Sequence, residues 1–341
     1  MKHLISCLFL FLSIFLIFSC KEKGEKVTVK NENLDSLLSK DPNNVGLLVK
    51  RGNLMLDSFL TKYNQKYFDI AKPDATKAFR LDSSRIDTRL LYADVLSNDP
   101  ERSVTDVSRA QFHYSFIVKK QPKNTKALVG LSSTYAYFSD FQTAIQYVDQ
   151  ALKINPKYRD AYIMKGTIFL MQNNRKLAIS SYETAVQQDP TFELAYLRLG
   201  QLYTEDEKYQ IAIEKFRSAV AINPNLSEAL YGVAYCDQML ERFNDAERGY
   251  HELMRVNDKY HLGWFNLGYI KQFHTENQLD SAIIYYQMAI DIQPEFVKAW
   301  HNIGLCYEDK NDRTRALQAY AKALKYNPQF ELTKERVAAL K

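Results

Sequence analysis

Val297–Phe330 reads VKAWHNIGLCYEDKNDRTRALQAYAKALKYNPQF. Large side chains stand at Trp300, Ile303 and Tyr307, with Gly304 among them; Ala316, Tyr320 and Ala323 follow, and Pro328 closes the segment. Offsets of three and four place the large residues on one helical face. A glycine on that face lets a second helix come close, and a proline near the end stops the second helix before another begins. The segment therefore specifies two helices packed against each other.

The same beat runs upstream. Ala110, Ala144, Ala178, Ala212, Ala246, Ala282 and Ala316 are separated by 34, 34, 34, 34, 36 and 34 residues. Gly166, Gly200, Ala234, Gly268 and Gly304 keep the same register. So do Pro122, Pro156, Pro190, Pro224, Pro294 and Pro328, with Asp258 where one proline is due. Unit 159–192 carries Tyr162, Lys165, Gly166, Phe169, Ala178, Tyr182, Ala185 and Pro190; unit 193–226 carries Tyr196, Leu199, Gly200, Tyr203, Ala212, Phe216, Ala219 and Pro224.

This pattern resembles the tetratricopeptide repeat family. The resemblance implies an all-α fold, a right-handed superhelical solenoid of helix-turn-helix pairs, with about eight repeats and capping helices. Six units are clear: 125–158, 159–192, 193–226, 227–260, 261–296 and 297–330. The fifth is two residues long over, near His274–Leu279, in the turn between its helices, where insertions are tolerated. Two degenerate units are expected at 45–85 and 86–124, with their extra residues between helices near Phe59–Lys66 and Asn98–Thr105. Pro73 is expected to kink the second helix of the first unit or delay its start. A capping helix is expected at 33–44, on Leu34, Leu37 and Leu38, and another at 331–341, with Lys334, Arg336 and Lys341 outward. One continuous array would then use nearly the whole chain.

Composition supports a folded chain: the apolar fraction is 46% and only 11 of 341 residues are glycine. The net charge of +5 comes from 45 basic and 40 acidic residues spread along the chain, with no arginine-rich stripe. Nucleic-acid binding finds no support there. Cys236 and Cys306 take the same helical position two units apart. At helix spacings of about 8–10 Å they lie too far apart for a disulfide, which needs Cα atoms within about 7 Å. They read as small buried fillers.

Lys2 and His3 precede an apolar run, Leu4–Phe18, too short for a comfortable membrane span of about 20 residues and suited to a secretory signal. Ile17-Phe18-Ser19-Cys20 resembles the lipobox of bacterial lipoproteins. The resemblance implies a signal peptide over 1–19, lipidation (palmitate) of Cys20, and a polar tether over 20–32. It places the chain in the bacterial cell envelope, lipid-anchored, at the outer membrane.

No phosphate-binding glycine loop, CxxC, HExxH or GxSxG occurs. His261, His274 and His301 fall at unlike register positions and suggest no metal. No enzyme activity, cofactor or metal is expected. By resemblance, positions 2, 5, 9, 12 and 13 of each first helix line a concave groove. These give Ile163, Met171, Leu194, Leu197, Tyr231, Tyr235, Met239, Phe265, Tyr269 and Phe273, an apolar and aromatic strip. Such a strip marks an interaction site; the alternative is packing inside the array. Tyr235 and Tyr269, at position 9 of adjacent units, combine an apolar ring with a hydroxyl. The family's dicarboxylate clamp is not matched, since Val49 and Asn53 stand where Lys and Asn are needed. The expected function is a membrane-tethered scaffold that binds a protein or peptide partner, extended or helical, in an envelope complex. The alternative is a carrier of a small apolar ligand or glycan on the same aromatics, with Gln238 and Gln272 as polar helpers.

Overall fold

The computed structural model describes residues 34–62 and 65–340. These form eighteen helices and no strand. The helices divide between two compact bodies, Met1–Pro190 and Thr191–Lys341, at a proline that closes a unit. The expected signal peptide (1–19), Cys20 and the tether (20–32) lie outside the described residues.

The first body holds α1 (Leu34–Lys40), α2 (Val45–Lys62), α3 (Gln65–Leu81), α4 (Ile86–Asn98), α5 (Val104–Lys120), α6 (Thr125–Tyr137), α7 (Phe141–Ile154), α8 (Arg159–Met171) and α9 (Arg175–Gln188). From α2 onward they pair in sequence. The surplus residues upstream lie only partly between helices. α2 has 18 residues where a regular first helix has 13, and α3 and α5 each have 17 where a regular second helix has 14. The insertions lengthen helices because the added turns continue an amphipathic pattern. Nor does Pro73 delay its helix, which begins eight residues earlier at Gln65 and runs on to Leu81. α1 buries Leu38 and is tied down by charge. Arg51 donates to Asp35 at 2.6 Å and makes a two-pronged contact, 2.7 Å each, with the buried Asp74. Such forked pairs are strong and directional.

The second body holds α10 (Glu193–Glu205), α11 (Tyr209–Ile222), α12 (Ser227–Met239), α13 (Phe243–Val256), α14 (His261–Phe273), α15 (Leu279–Ile292), α16 (Val297–Asp309), α17 (Arg313–Tyr326) and α18 (Glu331–Ala339). The two extra residues of unit 261–296 fall between α14 and α15. Arg336 does not simply face outward. It grips Glu308 of α16, and Thr333 beside it is fully buried, its hydroxyl 2.9 Å from His301 Nδ1. α18 is thus bound by specific polar contacts. Lys341 lies outside the described residues.

The glycine column works as a set of sockets. A Cβ on Gly166 would come within 2.6 Å of the Tyr182 ring, and on Gly268 within 2.7 Å of Tyr286. Each ring lies flat on the backbone of the facing helix, buried on all sides. The turn inside each pair keeps its own register: Ser139, Asn173, Glu207, Glu241, Asn277 and Asn311 all have φ between 55° and 61°. In the turn at Glu207, Glu207 N bonds Thr204 O at 3.0 Å and Lys208 N bonds Tyr203 O at 2.8 Å. This is the Schellman pattern that satisfies the last carbonyls of a helix.

Candidate functional site

The groove residues separate into two groups. Ile163, Leu194, Leu197, Tyr231 and Tyr235 are buried. As open partner-binding positions these five are corrected: they belong to the packing of the array. First helices of adjacent units pack on one another, α6 on α8 and α10 on α12, and this seam takes up positions 2, 5 and 9. Tyr231 is enclosed by the rings of Tyr235, Tyr250 and Tyr260, with centroids 5.9, 5.9 and 5.3 Å away. Burial pushes the Tyr235 phenol up to about 12. Met171 is half-buried against the α6–α8 core.

Position 12 also turns inward. Gln238 accepts from the Tyr250 hydroxyl at 2.8 Å, and Gln272 accepts from the Tyr286 hydroxyl at 2.8 Å. Glu308 accepts from Tyr320 in the same way. In these three units the second helix supplies the tyrosine, and for Tyr250 and Tyr286 the next first helix completes the group. Asn266 donates to Tyr250 at 2.9 Å and Asn302 to Tyr286 at 3.0 Å. Gln238 and Gln272 are therefore structural and lost to a glycan reader. The repeat register of 238, 272 and 308 could have revealed this set, and Asn266 and Asn302, each the sixth residue of its unit, stand in register as well.

What stays open lies mainly on α14. Phe265, Tyr269 and Phe273 stand at four-residue steps on one face. Phe265 is half-covered by Phe296, 4.9 Å away, and by Tyr286. Tyr269 is half-exposed and lies tilted against the Phe273 ring, centroids 4.8 Å apart. Phe273 is 48% exposed. Burial raises the Tyr269 phenol, which makes no hydrogen bond with another described residue. Met239 is half-exposed at the equivalent of position 273 in α12. Phe265, Tyr269 and Phe273 form an apolar platform on α14 with one unused hydroxyl.

The histidines are committed elsewhere. His274 stacks on Phe243 at 3.7 Å, His261 packs edge-on against Phe296, and His301 faces Thr333. Among the described residues no group of three His, Cys, Asp or Glu is placed to hold a metal. Cys236 and Cys306 are buried and unpaired, and burial pushes their thiols up to about 11 and about 12. Neither is an activated nucleophile.

Family models described as tetratricopeptide repeat match residues 129–191, 163–227 and 297–330. Over 66 residues the chain is 38% identical to the Tetratricopeptide repeat domain-containing protein PYG7, chloroplastic, of Arabidopsis thaliana, covering 19% of this chain and 22% of that protein. The chain thus spans about a fifth of that relative's length. Among solved structures, the APC/C hetero-tetramer Cut9-Hcn1 superposes with a TM-score of 0.60 at 18% identity, covering 90% of this chain and 58% of that one. The C-terminal part of a TPR repeat-containing protein from Cytophaga hutchinsonii gives a TM-score of 0.57 at 16% identity, covering 72% of this chain and 98% of that one. At these identities the two structures attest the all-α helix-pair fold.

Proposed function

We propose, from the premise that this chain carries tetratricopeptide repeats, that it is a scaffold without catalytic activity which binds a protein or peptide through the α14 platform. Repeats of this family mediate protein–protein interactions. The observation that carries the reading is the run Phe265, Tyr269, Phe273, an apolar face left partly open while the other strip residues are mostly packed away. Aromatic and Met side chains in such patches are the usual anchors of an interface. The finer reading is a bacterial envelope scaffold tethered by lipid on Cys20, supported by the apolar run Leu4–Phe18 and the Ile17-Phe18-Ser19-Cys20 sequence.

The test is the pair Tyr269→Ala with Phe273→Ala in the full chain. The expected result is loss of a stoichiometric partner on native purification, with an unchanged melting curve. Retained partner, or a collapsed melt, overturns the platform. The tether is tested separately by intact mass of the mature protein; an unacylated Cys20 overturns it.

A further inference from the structure

Two register positions face each other where the late part of a first helix meets the middle of the second. In five of the six regular units at least one is aromatic: Tyr135/Tyr147, Phe169/Ser181, Tyr203/Lys215, Lys271/Tyr285 and Tyr307/Ala319. In the first pair the rings stack at 5.5 Å. Unit 227–260 has neither ring. Its residues are Asp237 and Gly249.

The missing rings leave a recess of about 430 Å³ between α11 and α13, floored by α12. Val220, Leu230 and Val233 form apolar wall, and Asp237, Arg217 and Glu252 supply charge. The backbone of α13 comes so close that a Cβ on Gly249 would stand 2.9 Å from Ala234 Cβ. Asp237 is only 3% exposed. Its side-chain hydrogen bond comes from Arg242 Nη1 at 3.5 Å, beyond a good bond length, and Arg242 also donates to Gln210 at 3.0 Å. Burial raises the Asp237 carboxyl against the pull of Arg217 and Arg242. Arg248 is taken by Asp245. The charges that remain around the recess are Asp237, Glu252, Arg217 and Arg242, and Arg242 is shared between Asp237 and Gln210.

We infer that this recess binds an alkylammonium group, such as a lysine side chain, with the ammonium on Asp237 and the methylene stem on Val220, Leu230 and Val233. A buried carboxylate with one loose partner is costly until a counter-charge meets it. A stem of four methylenes with a compact charge at its tip fits an apolar wall that ends in a carboxylate. A phenol or alcohol would fill the space without bringing the carboxylate a counter-charge. No residue of the α14 platform lines the recess, so the inference stands apart from the proposed function.

The test is an amide NMR titration of the full chain with n-butylammonium chloride, against n-butanol at matched ionic strength. The expected result is saturable shifts at Gly249 and Ala234 with the ammonium only, at least tenfold weaker in Asp237→Asn. Asp237→Tyr, which restores the ring, should raise the melting temperature and abolish the shifts. Equal shifts with n-butanol, no saturation, or Asp237→Asn binding like wild type overturns the inference. Should Asp237→Asn fail to fold, shifts retained in Asp237→Tyr overturn it. Tighter binding of N-acetyl-lysine-N-methylamide than of n-butylammonium assigns the site to a partner's lysine; the reverse order assigns it to a free amine. Phe273→Ala should leave the titration unchanged.

Discussion

Asn266 on α14 donates to the Tyr250 hydroxyl on α13 across 2.9 Å, while that hydroxyl donates to Gln238 on α12 at 2.8 Å. Three helices of two successive units are joined through one buried oxygen. Asn266 also reaches the Tyr231 hydroxyl at 3.2 Å. The neighbouring Phe216 has no hydroxyl, and there Thr204 bonds Gly200 O at 2.8 Å and Cys236 Sγ at 3.2 Å instead. Within the second body the glycine sockets recur from unit to unit, and the polar relay is present only where the aromatic is a tyrosine.

Tyr250→Phe should therefore destabilise. It keeps the ring and strands the buried Gln238 carbonyl, at a cost of about 1–3 kcal/mol. Urea unfolding followed by circular dichroism measures it. A midpoint equal to wild type would show that the relay contributes nothing.

Gly268→Ala tests the socket. On an exposed helix this change stabilises by about 1 kcal/mol. Here the added Cβ would lie 2.7 Å from the Tyr286 ring, so overpacking should outweigh propensity, at about 1–3 kcal/mol. A raised melting temperature is the result that counts against it.

Glu207→Gly should stabilise. Glu207 sits at φ 58° in the α10–α11 turn, where a side chain costs about 1–2 kcal/mol and glycine costs little beyond its chain entropy. The net gain expected is about 0.5–1 kcal/mol, read from thermal unfolding.

Acid should weaken the chain through two histidines. His113 Nδ1 faces Arg89 Nη1 at 3.0 Å, a contact that requires the neutral ring, and burial with Arg89 and Arg109 holds it down to about 4. His301 is also held down to about 4, by burial and then Arg336, with Glu308 opposing. The unfolded histidines titrate near about 6.5. Between there and about pH 4 the unfolded chain binds more protons, so stability falls as pH falls through that window. Glu228 and Asp237, raised by burial, act in the opposite direction, so variant and wild type are compared at each pH. His301→Gln should lose less stability than wild type between pH 7 and 4.5 in urea midpoints. Parallel curves reject the assignment.

Tyr235 and Tyr269 share position 9 of adjacent units and should respond differently. Tyr235→Ala opens a cavity in the α12 seam and should cost about 3–5 kcal/mol of stability. Tyr269→Ala should leave the melt nearly unchanged and weaken partner binding by about 2 kcal/mol or more, as an interface anchor does. Calorimetry and native pull-down on both variants distinguish them.

The sequence by itself determined the helix pairs. The alanine, glycine and proline columns report contacts within one unit or with the next, and such contacts recur at a fixed spacing because each unit solves the same packing problem. The turn residues from Ser139 to Asn311 follow that spacing as well, but Glu207 and Glu241 do not announce a left-handed backbone, so the column reads weakly. Only the tertiary structure decided which large residues are open. Ile163 and Phe273 look alike as apolar residues on a first helix. One is buried in the array and the other is 48% exposed, because cover comes from side chains that packing brings in from other helices. Tyr260 closing over Tyr231, or Asn266 reaching Tyr250, depends on how one helix settles on the next, and helical periodicity carries no record of that. The same holds for the recess at Asp237. The two absent rings can be read along the chain, but a hollow with a buried carboxylate at its floor exists only once α11, α12 and α13 are packed together.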